Sequence, residues 1–523
     1  MNKLLKVLPV AFILAGLVLP KFSWADTASN TASLEQRLDN LEAQVAELKQ
    51  ELALMSGTHS YSQQQKQAAA PQGASSSSSP ATANPTALPA YVTANAKDGF
   101  AIKSSDGKYS LKIGGYTQVL GREFGSGDKS GPYNTTGSGT SYQEDSAILL
   151  RRARLIIQGT VAGNFDYYLQ PDFGYNNTFA SITASTTSSY APSLMDAWID
   201  YKANPDIVIK AGKFKTPFDL ENLQDSRYTD FVELGLTSNL SPQRDIGVQV
   251  GGNLYYDWIQ YAAGVFNGAA DHENPYGGTS TVAYENSNAT GDGRIFVTPF
   301  KDTSITPLQG FGVGFAASYG KQKGYDLPTG YVTSGQEPFF SYTTTTSTPS
   351  ATTVQNDGPQ FRTEPQAYYY YKSLGLLAEK VNDQESLEYG TSSINRLKAN
   401  NKAYDFEGTY VLTGEDATYN GVTPRHDFDP KSGHWGAFEL AGRWDQLKLD
   451  PSIFSEGYAN LNSSASKATE WTVGLNWYLN KNAKMVFDYS QTKFVRGAPT
   501  AADNNGNRKT ENLFLTMLQL SVG

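Results

Sequence analysis

Alternation of apolar and polar residues, repeated over most of the chain, is the sequence feature that most constrains the fold. In the stretch "KYSLKIGG" the apolar residues Tyr109, Leu111 and Ile113 alternate with small or polar ones. Successive side chains of a β-strand point to opposite faces, so this period of two predicts strands with one apolar face and one polar face. Similar segments recur as far as residue 522. Counting from Lys108 gives sixteen strands, with a short additional strand at 100–105.

The connections between these segments alternate between long and short. Residues 121–145 form a long connection, and residues 162–164 form the short one that follows it. Membrane barrels have long loops at one end and short turns at the other, whereas a soluble sandwich has no reason to sort its connections. The sequence therefore predicts an all-β fold, a 16-stranded antiparallel transmembrane β-barrel, over residues 98–523. One connection, at 413–432, is long where a short turn is expected.

The N-terminus has the pattern of a cleavable secretory signal over residues 1–25. Basic residues precede the apolar run "VLPVAFILAGLVL", and Ser23 and Ala25 supply the small residues of a cleavage site. A retained membrane anchor is the alternative, but the apolar run is short for a span. After Ala25 no stretch approaches 18 uninterrupted apolar residues. We therefore expect an exported protein without a transmembrane helix.

A heptad pattern follows the signal and predicts a coiled-coil helix over residues 33–56. Ser33 and Gln36 form a capping box at its start. The apolar residues, spaced alternately by four and three, are Leu34, Leu38, Leu41, Val45, Leu48, Leu52 and Met55. A lone amphipathic helix would show a wider apolar stripe than this strict seam. So short a coil is marginal alone, so we expect other contacts to hold the chains together as well.

Residues 57–97 are rich in Ser, Ala, Gln and Pro, as in "SQQQKQAAAPQGASSSSSPATANP". Such a segment cannot bury enough apolar surface to order itself, so we expect a disordered linker whose length sets the reach of the coil. The order along the chain places the coiled coil in the periplasm. There it could contact the cell wall.

Composition excludes several classes of function. The chain has no cysteine, which excludes a disulfide framework and a thiolate site. Its net charge is −9, and losing the signal would remove three lysines and no acid, giving −12, a charge that disfavours nucleic-acid binding. His426 and His434 flank "DFDPKSG", but their spacing matches no standard metal motif, and no nucleophile motif or phosphate-binding glycine loop is present. We expect no cofactor, no metal and no enzymatic activity.

Three arginines interrupt the apolar stretch "ILLRRARLIIQGT". Alternation places Leu149 on the lipid face and places Arg152 and Arg154 on the wet inner face, where a charge is cheap. Arg151 has the outward parity, so it lies near the membrane boundary, snorkels, or sits at a β-bulge. Other basic residues have inward parity or lie near the mouth of the longest early loop: Lys112, Lys213, Lys215, Arg244, Arg294, Arg362 and Arg443. Such cations favour anions, unless pore carboxylates pair with them and leave only a transverse field.

Several motifs together resemble the phosphate-selective porin O and P family, from about Asp98 to the end of the chain. They include "RRARL" followed by "FDYYLQPDF", "IKAGKFKTPFDLENL", "SPQRDIGVQVGG", "PQAYYYYKSLGLLAEKV" and "GAFELAGRW". The resemblance implies a homotrimeric outer-membrane barrel whose third loop folds into the pore. It also implies that Arg151 and Arg152 help to build the anion site and that Asp172 lies nearby. The third loop would be residues 217–240, which carry five acids against Arg227 alone.

These observations predict an outer-membrane porin through which small hydrophilic solutes diffuse passively, with a preference for anions such as phosphate. The candidate pore and anion-binding residues are Arg151, Arg152, Arg154, Asp172, Lys213, Lys215, Arg227 and Arg244. Expected partners are outer-membrane lipid, two further copies of the chain and the barrel assembly machinery. The alternatives are a structural protein that tethers the envelope through its coiled coil, and a general or cation-preferring porin.

Overall fold

The computed structural model describes residues 90–95, 99–125, 146–174, 192–268, 289–324, 327, 330–343, 354–389, 395–499 and 506–523. The predicted signal peptide at 1–25, the coiled coil at 33–56 and the linker as far as residue 89 lie outside these residues and stay predictions. No helix among the described residues has the length and apolar content needed to cross a bilayer.

Twenty strands account for most of the described chain. In order they are β1 (Tyr91–Asn95), β2 (Gly99–Lys103), β3 (Ser110–Phe124), β4 (Ala147–Val161), β5 (Phe165–Asp172), β6 (Ser193–Asn204), β7 (Ile207–Lys215), β8 (Arg244–Leu254), β9 (Ile259–Phe266), β10 (Thr290–Val297), β11 (Phe311–Gly324), β12 (Tyr331–Val332), β13 (Pro338–Phe340), β14 (Gln355–Tyr371), β15 (Leu374–Tyr389), β16 (Asn395–Val411), β17 (Ala437–Lys448), β18 (Ala465–Asn480), β19 (Ala483–Arg496) and β20 (Glu511–Val522). The short helices are α1 (Leu220–Leu223) and α2 (Pro451–Ser455).

Sixteen of these strands form a closed antiparallel barrel, as the alternating pattern predicts. Each strand from β3 to β11 and from β14 to β20 pairs with the next one, and β20 returns to β3 with Leu513 opposite Phe124. A closed barrel leaves no strand edge unpaired. The predicted strand positions are confirmed, and the structure extends several of them, such as β14 and β16, by five to seven residues towards the long loops.

The hairpin of β1 and β2 extends the sheet beside the first residues of β3. Phe100 of β2 pairs with Ile113, whereas β20 pairs with β3 from Gly115 onwards. The strands β2 and β20 therefore lie end to end along the same edge of β3. The predicted short strand at 100–105 is confirmed as β2. Tyr91–Asn95 was expected to belong to the linker of residues 57–97, but its backbone pairs with β2. This end of the linker prediction is therefore wrong.

The outward side chains of the barrel are apolar and the inward ones are polar. Along β20, Phe514, Leu518 and Leu520 are exposed on the outside, whereas Gln519 is buried towards the interior. An apolar outer surface of this kind is stable only in contact with lipid, so the barrel spans a membrane.

Two connections and the first part of a third fold into the barrel instead of lying outside it. The inward loop (residues 216–243, between β7 and β8) contains α1, which begins where the Asp219 carboxylate accepts a hydrogen bond from the Asn222 amide at 2.7 Å. The inward hairpin (residues 330–343) contains β12 and β13, and the Gly335 carbonyl accepts a hydrogen bond from Arg122 at 2.8 Å. The inward turn (residues 412–436, between β16 and β17) includes the connection that is too long for its end of the barrel.

Candidate functional site

A β-bulge lies in the arginine stretch of β4. Gln118 of β3 pairs with Arg152, but the next residue, Val119, pairs with Leu150, so Arg151 is the extra residue. The bulge turns Arg151 and Arg152 towards the interior together, as the family resemblance implies.

The bulge also reverses the faces of the residues that precede it. Leu149 was expected on the lipid face, but it packs inward against the cluster that contains Leu120 and Phe124. Ile148 and Leu150 are the exposed residues, at 83% and 40%. Strict alternation is therefore wrong for this part of β4, because one inserted residue shifts every earlier side chain to the opposite face.

Arg151 and Arg152 hold the inward loop, and neither lines either of the two cavities described below. The Arg151 guanidinium donates to both carboxylate oxygens of Glu233, at 2.5 and 2.8 Å. Arg152 donates to the Gln118 side chain at 2.9 Å and lies 3.7 Å from Glu233. One buried carboxylate of the loop thus joins both arginines of the bulge, and we assign these arginines to positioning the loop.

Arg154 is fixed by Asp172, the acid that the resemblance places near the site. Its guanidinium donates to the Asp172 carboxylate at 2.7 Å and to the Tyr116 hydroxyl at 2.8 Å. Asp172 also accepts the backbone amides of Ala153 and Gly174, at 3.0 and 2.8 Å. A carboxylate held by two amides orients Arg154 firmly, because charge-assisted hydrogen bonds are directional and strong.

The predicted cations of β7 and β8 have different roles. The Lys215 ammonium donates to the carbonyls of Asn222 and Gln224, both at 2.5 Å, and so fixes the start of the inward loop. Arg244 pairs with Asp196 at 3.2 Å. The Lys213 ammonium donates to the Leu194 carbonyl at 2.7 Å and does not line the cavity described next.

An open cavity of about 530 Å³ lies beside the inward loop, against the inner faces of β4 to β10. We call it the cationic cavity. Its charged lining residues are Arg154, Lys210, Lys215, Arg244 and Arg294, with Asp196, Asp200 and Asp225. Five cations therefore face three carboxylates. Of the eight predicted site residues, Arg154, Lys215 and Arg244 meet here, whereas Arg151, Arg152, Asp172 and Lys213 do not line the cavity.

Lys210 is a cavity residue that the sequence analysis missed. Its ammonium lies 4.0 Å from the ring centroid of Trp198, which stacks on Tyr168 at 5.2 Å. A signal for it was present: in "IVIKAGK" the exposed residues Ile207 and Ile209 fix the outward parity, which gives Lys210 the inward parity.

A second cavity, of about 630 Å³, opens at the end of the barrel that carries the short turns. Its charged lining residues are Arg227, Arg425, Lys481 and Lys484, with Glu415 and Asp416. Four cations therefore face two carboxylates. Arg227, the eighth predicted residue, belongs here rather than to the cationic cavity.

Arg227 and Asp225 form a clamp at the tip of the inward loop. Two guanidinium nitrogens lie 3.1 and 2.9 Å from the two Asp225 oxygens, and a third donates to the Gly523 carbonyl at 2.6 Å. Burial raises the pKa of the Asp225 carboxyl, but the Arg227 guanidinium lowers it by more, so the pKa lies below its ordinary value of 3.8. The clamp is therefore charged throughout the neutral range.

The opposite inner wall of the barrel, from β14 to β19, is acidic. We call it the acidic wall, and its buried carboxylates are Glu364, Glu379, Asp383, Glu385, Asp405, Glu407, Glu439, Asp445, Glu470 and Asp488. None of these ten residues lines either cavity. The acidic wall is thus separated from both open spaces.

The inward loop covers this wall. Its backbone amides donate to carboxylates of the wall, and one of its acids pairs with an arginine of the wall. The Leu220 amide donates to Glu364 and Glu379, at 3.1 and 3.0 Å, and the Val232 amide donates to Asp488 at 2.9 Å. Arg443 of β17 lies 3.2 Å from Glu221 of the loop. Asp219 and Glu221 of the loop therefore face the wall, Glu233 is held by Arg151 and Arg152 of β4, and Asp225 lines the cationic cavity.

The inward turn explains the connection that is too long for its end of the barrel. It enters from the short-turn end and meets the inward loop. There the Tyr419 hydroxyl donates to the Leu220 carbonyl at 2.5 Å, and the side-chain amide of Gln224 donates to the Tyr419 carbonyl at 3.0 Å. Tyr419 also stacks on Tyr368 of the barrel wall at 5.5 Å. Segments from both ends of the barrel thus narrow the interior together.

Comparison with known proteins finds one family model that covers most of the chain. The model described as "Phosphate-selective porin O and P" matches residues 128–521. Porin O of Pseudomonas aeruginosa is 24% identical over 452 residues, which are 82% of this chain and 92% of that protein. Among solved structures, the outer membrane channel DcaP of Acinetobacter baumannii has a TM-score of 0.48 at 10% identity, covering 80% of this chain and 99% of that one. The anion-selective porin from Comamonas acidovorans has a TM-score of 0.46 at 9% identity, covering 79% and 99%.

Proposed function

Because the chain belongs to the phosphate-selective porin O and P family, we propose that it is an outer-membrane porin. Small hydrophilic solutes diffuse through it passively, and anions such as phosphate are preferred. The protein acts as a channel and performs no chemical step on the solute.

The observation that carries the anion preference is the separation of the two kinds of charge inside the barrel. Both open cavities are lined by more cations than carboxylates, although the whole chain carries a net charge of −9. The ten carboxylates of the acidic wall lie behind the inward segments. Positive side chains in a narrow, low-dielectric passage raise the local concentration of anions, and a covered acid contributes less to the field there.

Paired arginines in the cationic cavity favour passage over tight binding. Asp172 and Asp196 hold Arg154 and Arg244 in place and also offset part of their charge. Conduction requires that an ion be attracted strongly enough to enter and weakly enough to leave. We propose that Arg154, Lys210 and Lys215 supply successive weak contacts for an anion such as phosphate.

A planar bilayer measurement in a potassium chloride gradient tests the proposal. We expect a reversal potential of the anion-selective sign. Arg154→Ala and Lys210→Ala should each reduce the ratio of chloride to potassium permeability by about twofold or more, since each removes one of few cavity charges. Arg396→Ala is the matched control, because Arg396 lies at the barrel rim with 68% of its side chain exposed. A cation-selective sign for the native chain would contradict the proposal.

Phosphate as a solute needs its own test, because net positive charge attracts every small anion. Inorganic phosphate added to a chloride bath should reduce the single-channel chloride current in a saturable way, since a doubly charged oxyanion accepts more charge-assisted hydrogen bonds than chloride. The control is the same dilution of the chloride bath without phosphate. If phosphate reduces the current no more than this dilution does, the pore is a general anion porin.

We further propose that the chain forms a homotrimer in the outer membrane, inserted by the barrel assembly machinery, with the coiled coil of residues 33–56 in the periplasm. The heptad seam supports a second role, tethering the envelope through contact with the cell wall. Deleting residues 33–56 separates the two roles. Envelope defects with unchanged conductance would favour the tether. An envelope without defects would mean that the coiled coil does not tether it, and the porin role would then be the only one supported.

A further inference from the structure

A group of three carboxylates lies where the inward loop meets the barrel wall. We call it the carboxylate triad: Asp219 precedes α1, Glu364 lies on β14 and Glu379 lies on β15. One oxygen of each residue lies within 4.8 Å of one oxygen of each of the others. All three side chains are buried, with at most 2% of each residue exposed. The chain thus brings three acids from distant sequence positions to one buried point.

Hydrogen bonds satisfy only part of this group. Asp219 uses one oxygen to cap α1, and Glu379 accepts from the Thr237 hydroxyl at 3.0 Å and from the Leu220 amide at 3.0 Å. One oxygen of Asp219 (Oδ2) and one of Glu364 (Oε2) have no hydrogen-bond partner among the described residues, and both are shielded from solvent. A buried carboxylate oxygen that no donor reaches is costly unless a proton or a cation neutralises the group.

A neighbouring acidic group shows how the fold neutralises buried acids elsewhere. Arg443 lies among Glu221, Glu407 and Asp445, at 3.2, 3.6 and 3.0 Å. In the part of the chain that the structure describes, no Lys or Arg nitrogen lies within 4.0 Å of a triad carboxylate. Burying unpaired carboxylates is costly, so a positive charge is expected at the triad too.

We propose that the carboxylate triad binds a Ca²⁺ ion, which joins the inward loop to β14 and β15. Oxygen ligands lie about 2.3–2.6 Å from Ca²⁺, so two ligands of one ion are separated by at most about 5 Å. The triad meets this limit. Ca²⁺ accepts several carboxylates in irregular geometry, whereas Mg²⁺ demands a near-ideal octahedron and retains its waters. The ion fixes α1 against the acidic wall, and its presence does not depend on which solute the pore conducts.

Metal content of the full mature chain, purified in detergent, provides the first test. After dialysis against Ca²⁺ and removal of free metal, we expect about one Ca²⁺ per chain. Terbium ions should replace Ca²⁺ and emit on tyrosine excitation, because Tyr419 contacts the Leu220 carbonyl at the edge of the triad. Treatment with EDTA should lower the unfolding temperature by several degrees, since a ligand bound only to the folded state stabilises it.

Variants separate a metal site from buried acids that are merely protonated. Glu364→Gln combined with Glu379→Gln should reduce the terbium emission by about tenfold or more, since lost supporting groups alone weaken metal sites by about 10–100-fold. It should also abolish the effect of EDTA. The single variant Asp219→Asn should weaken terbium binding in the same direction if the double variant does not fold.

Glu385→Gln is the matched control. Glu385 is buried on β15 like Glu379, and it accepts a hydrogen bond from Asn401 at 2.7 Å that an amide oxygen can keep. This variant should bind terbium as the native chain does. The proposal is overturned if the native chain binds no metal and EDTA has no effect, or if the triad variants bind terbium as well as Glu385→Gln does.

Discussion

The inner faces of β4–β10 and of β14–β19 differ both in charge and in what covers them. The first side carries the arginines and lysines of the cationic cavity, with open space in front of them. The second side carries ten buried carboxylates, and the inward loop, the inward hairpin and the inward turn contact it through Leu220, Ser334 and Tyr419 respectively. Both sides are equally part of the barrel wall, yet the arginines and lysines of the first side line the cationic cavity and none of the ten carboxylates of the second side does. We propose that only the first side faces the passage.

This difference shows why the net charge of a porin is a poor guide to its selectivity. The chain is acidic, and the inward loop itself carries five acids against one arginine. Counted by composition, the pore would prefer cations. The field that an ion meets depends on which charges are desolvated and paired and on which ones line the passage.

Removing most of the inward loop, which covers the acidic wall, should change the conductance and the ion selectivity more than any other variant. Replacing residues 220–239 by a short Gly-Ser linker would expose the acidic wall to the passage. We expect a larger conductance and a reversal potential of the cation-selective sign in a potassium chloride gradient, because the exposed carboxylates then outnumber the cavity cations. A shortened loop that leaves the pore anion-selective would show that the covered acids never opposed selectivity.

Breaking the ion pairs that attach the loop should have the next largest effect, on stability. Glu233→Ala leaves Arg151 and Arg152 buried without their shared carboxylate. Removing one partner of a buried pair costs about 3–5 kcal/mol, so we expect a clear loss in the free energy of unfolding in detergent. Glu388→Ala is the control, because Glu388 belongs to the exposed pair with Arg396 at the rim. Equal losses for both variants would remove the special role of Glu233.

A smaller effect is expected where the inward turn meets the inward loop. Tyr419→Phe removes the hydroxyl that donates to the Leu220 carbonyl but keeps the ring stacked on Tyr368. One hydrogen bond contributes about 0.5–1.5 kcal/mol, so the variant should fold normally and show more frequent conductance fluctuations. An unchanged current record would mean that the turn does not restrain the loop.

The smallest effect concerns pH. Because the pKa of Asp225 is lowered in the folded state, its clamp with Arg227 stabilises the loop tip at every pH above 3.8. That stabilisation is lost only as the pH falls below 3.8 and through the folded pKa. Conductance should therefore stay constant between about pH 8 and 5 as far as this clamp is concerned. A step in that window that disappears in Asp225→Asn would contradict the assigned sign.

Local sequence patterns predicted the strands well, because each strand depends on alternation within about ten residues. Strict alternation gives the wrong face for Arg151, because nothing in the sequence marks the inserted residue of the bulge. For Lys210, alternation alone gives the correct inward face. The cover of the acidic wall could not be predicted in this way. Contacts such as Leu220 with Glu379 join residues 159 positions apart, and no local pattern marks them.

The direct test of the central claim is the accessibility of introduced thiols, because the natural chain contains no cysteine. Gln249→Cys places a thiol in the cationic cavity, and Thr472→Cys places one on the covered wall of β18, where Thr472 is 2% exposed. A water-soluble anionic thiol reagent applied to the conducting pore should modify the first rapidly, with a stepwise loss of current, and should leave the second unmodified. Rapid modification of the thiol at position 472 would contradict the account, because the wall of β14–β19 would then face the passage.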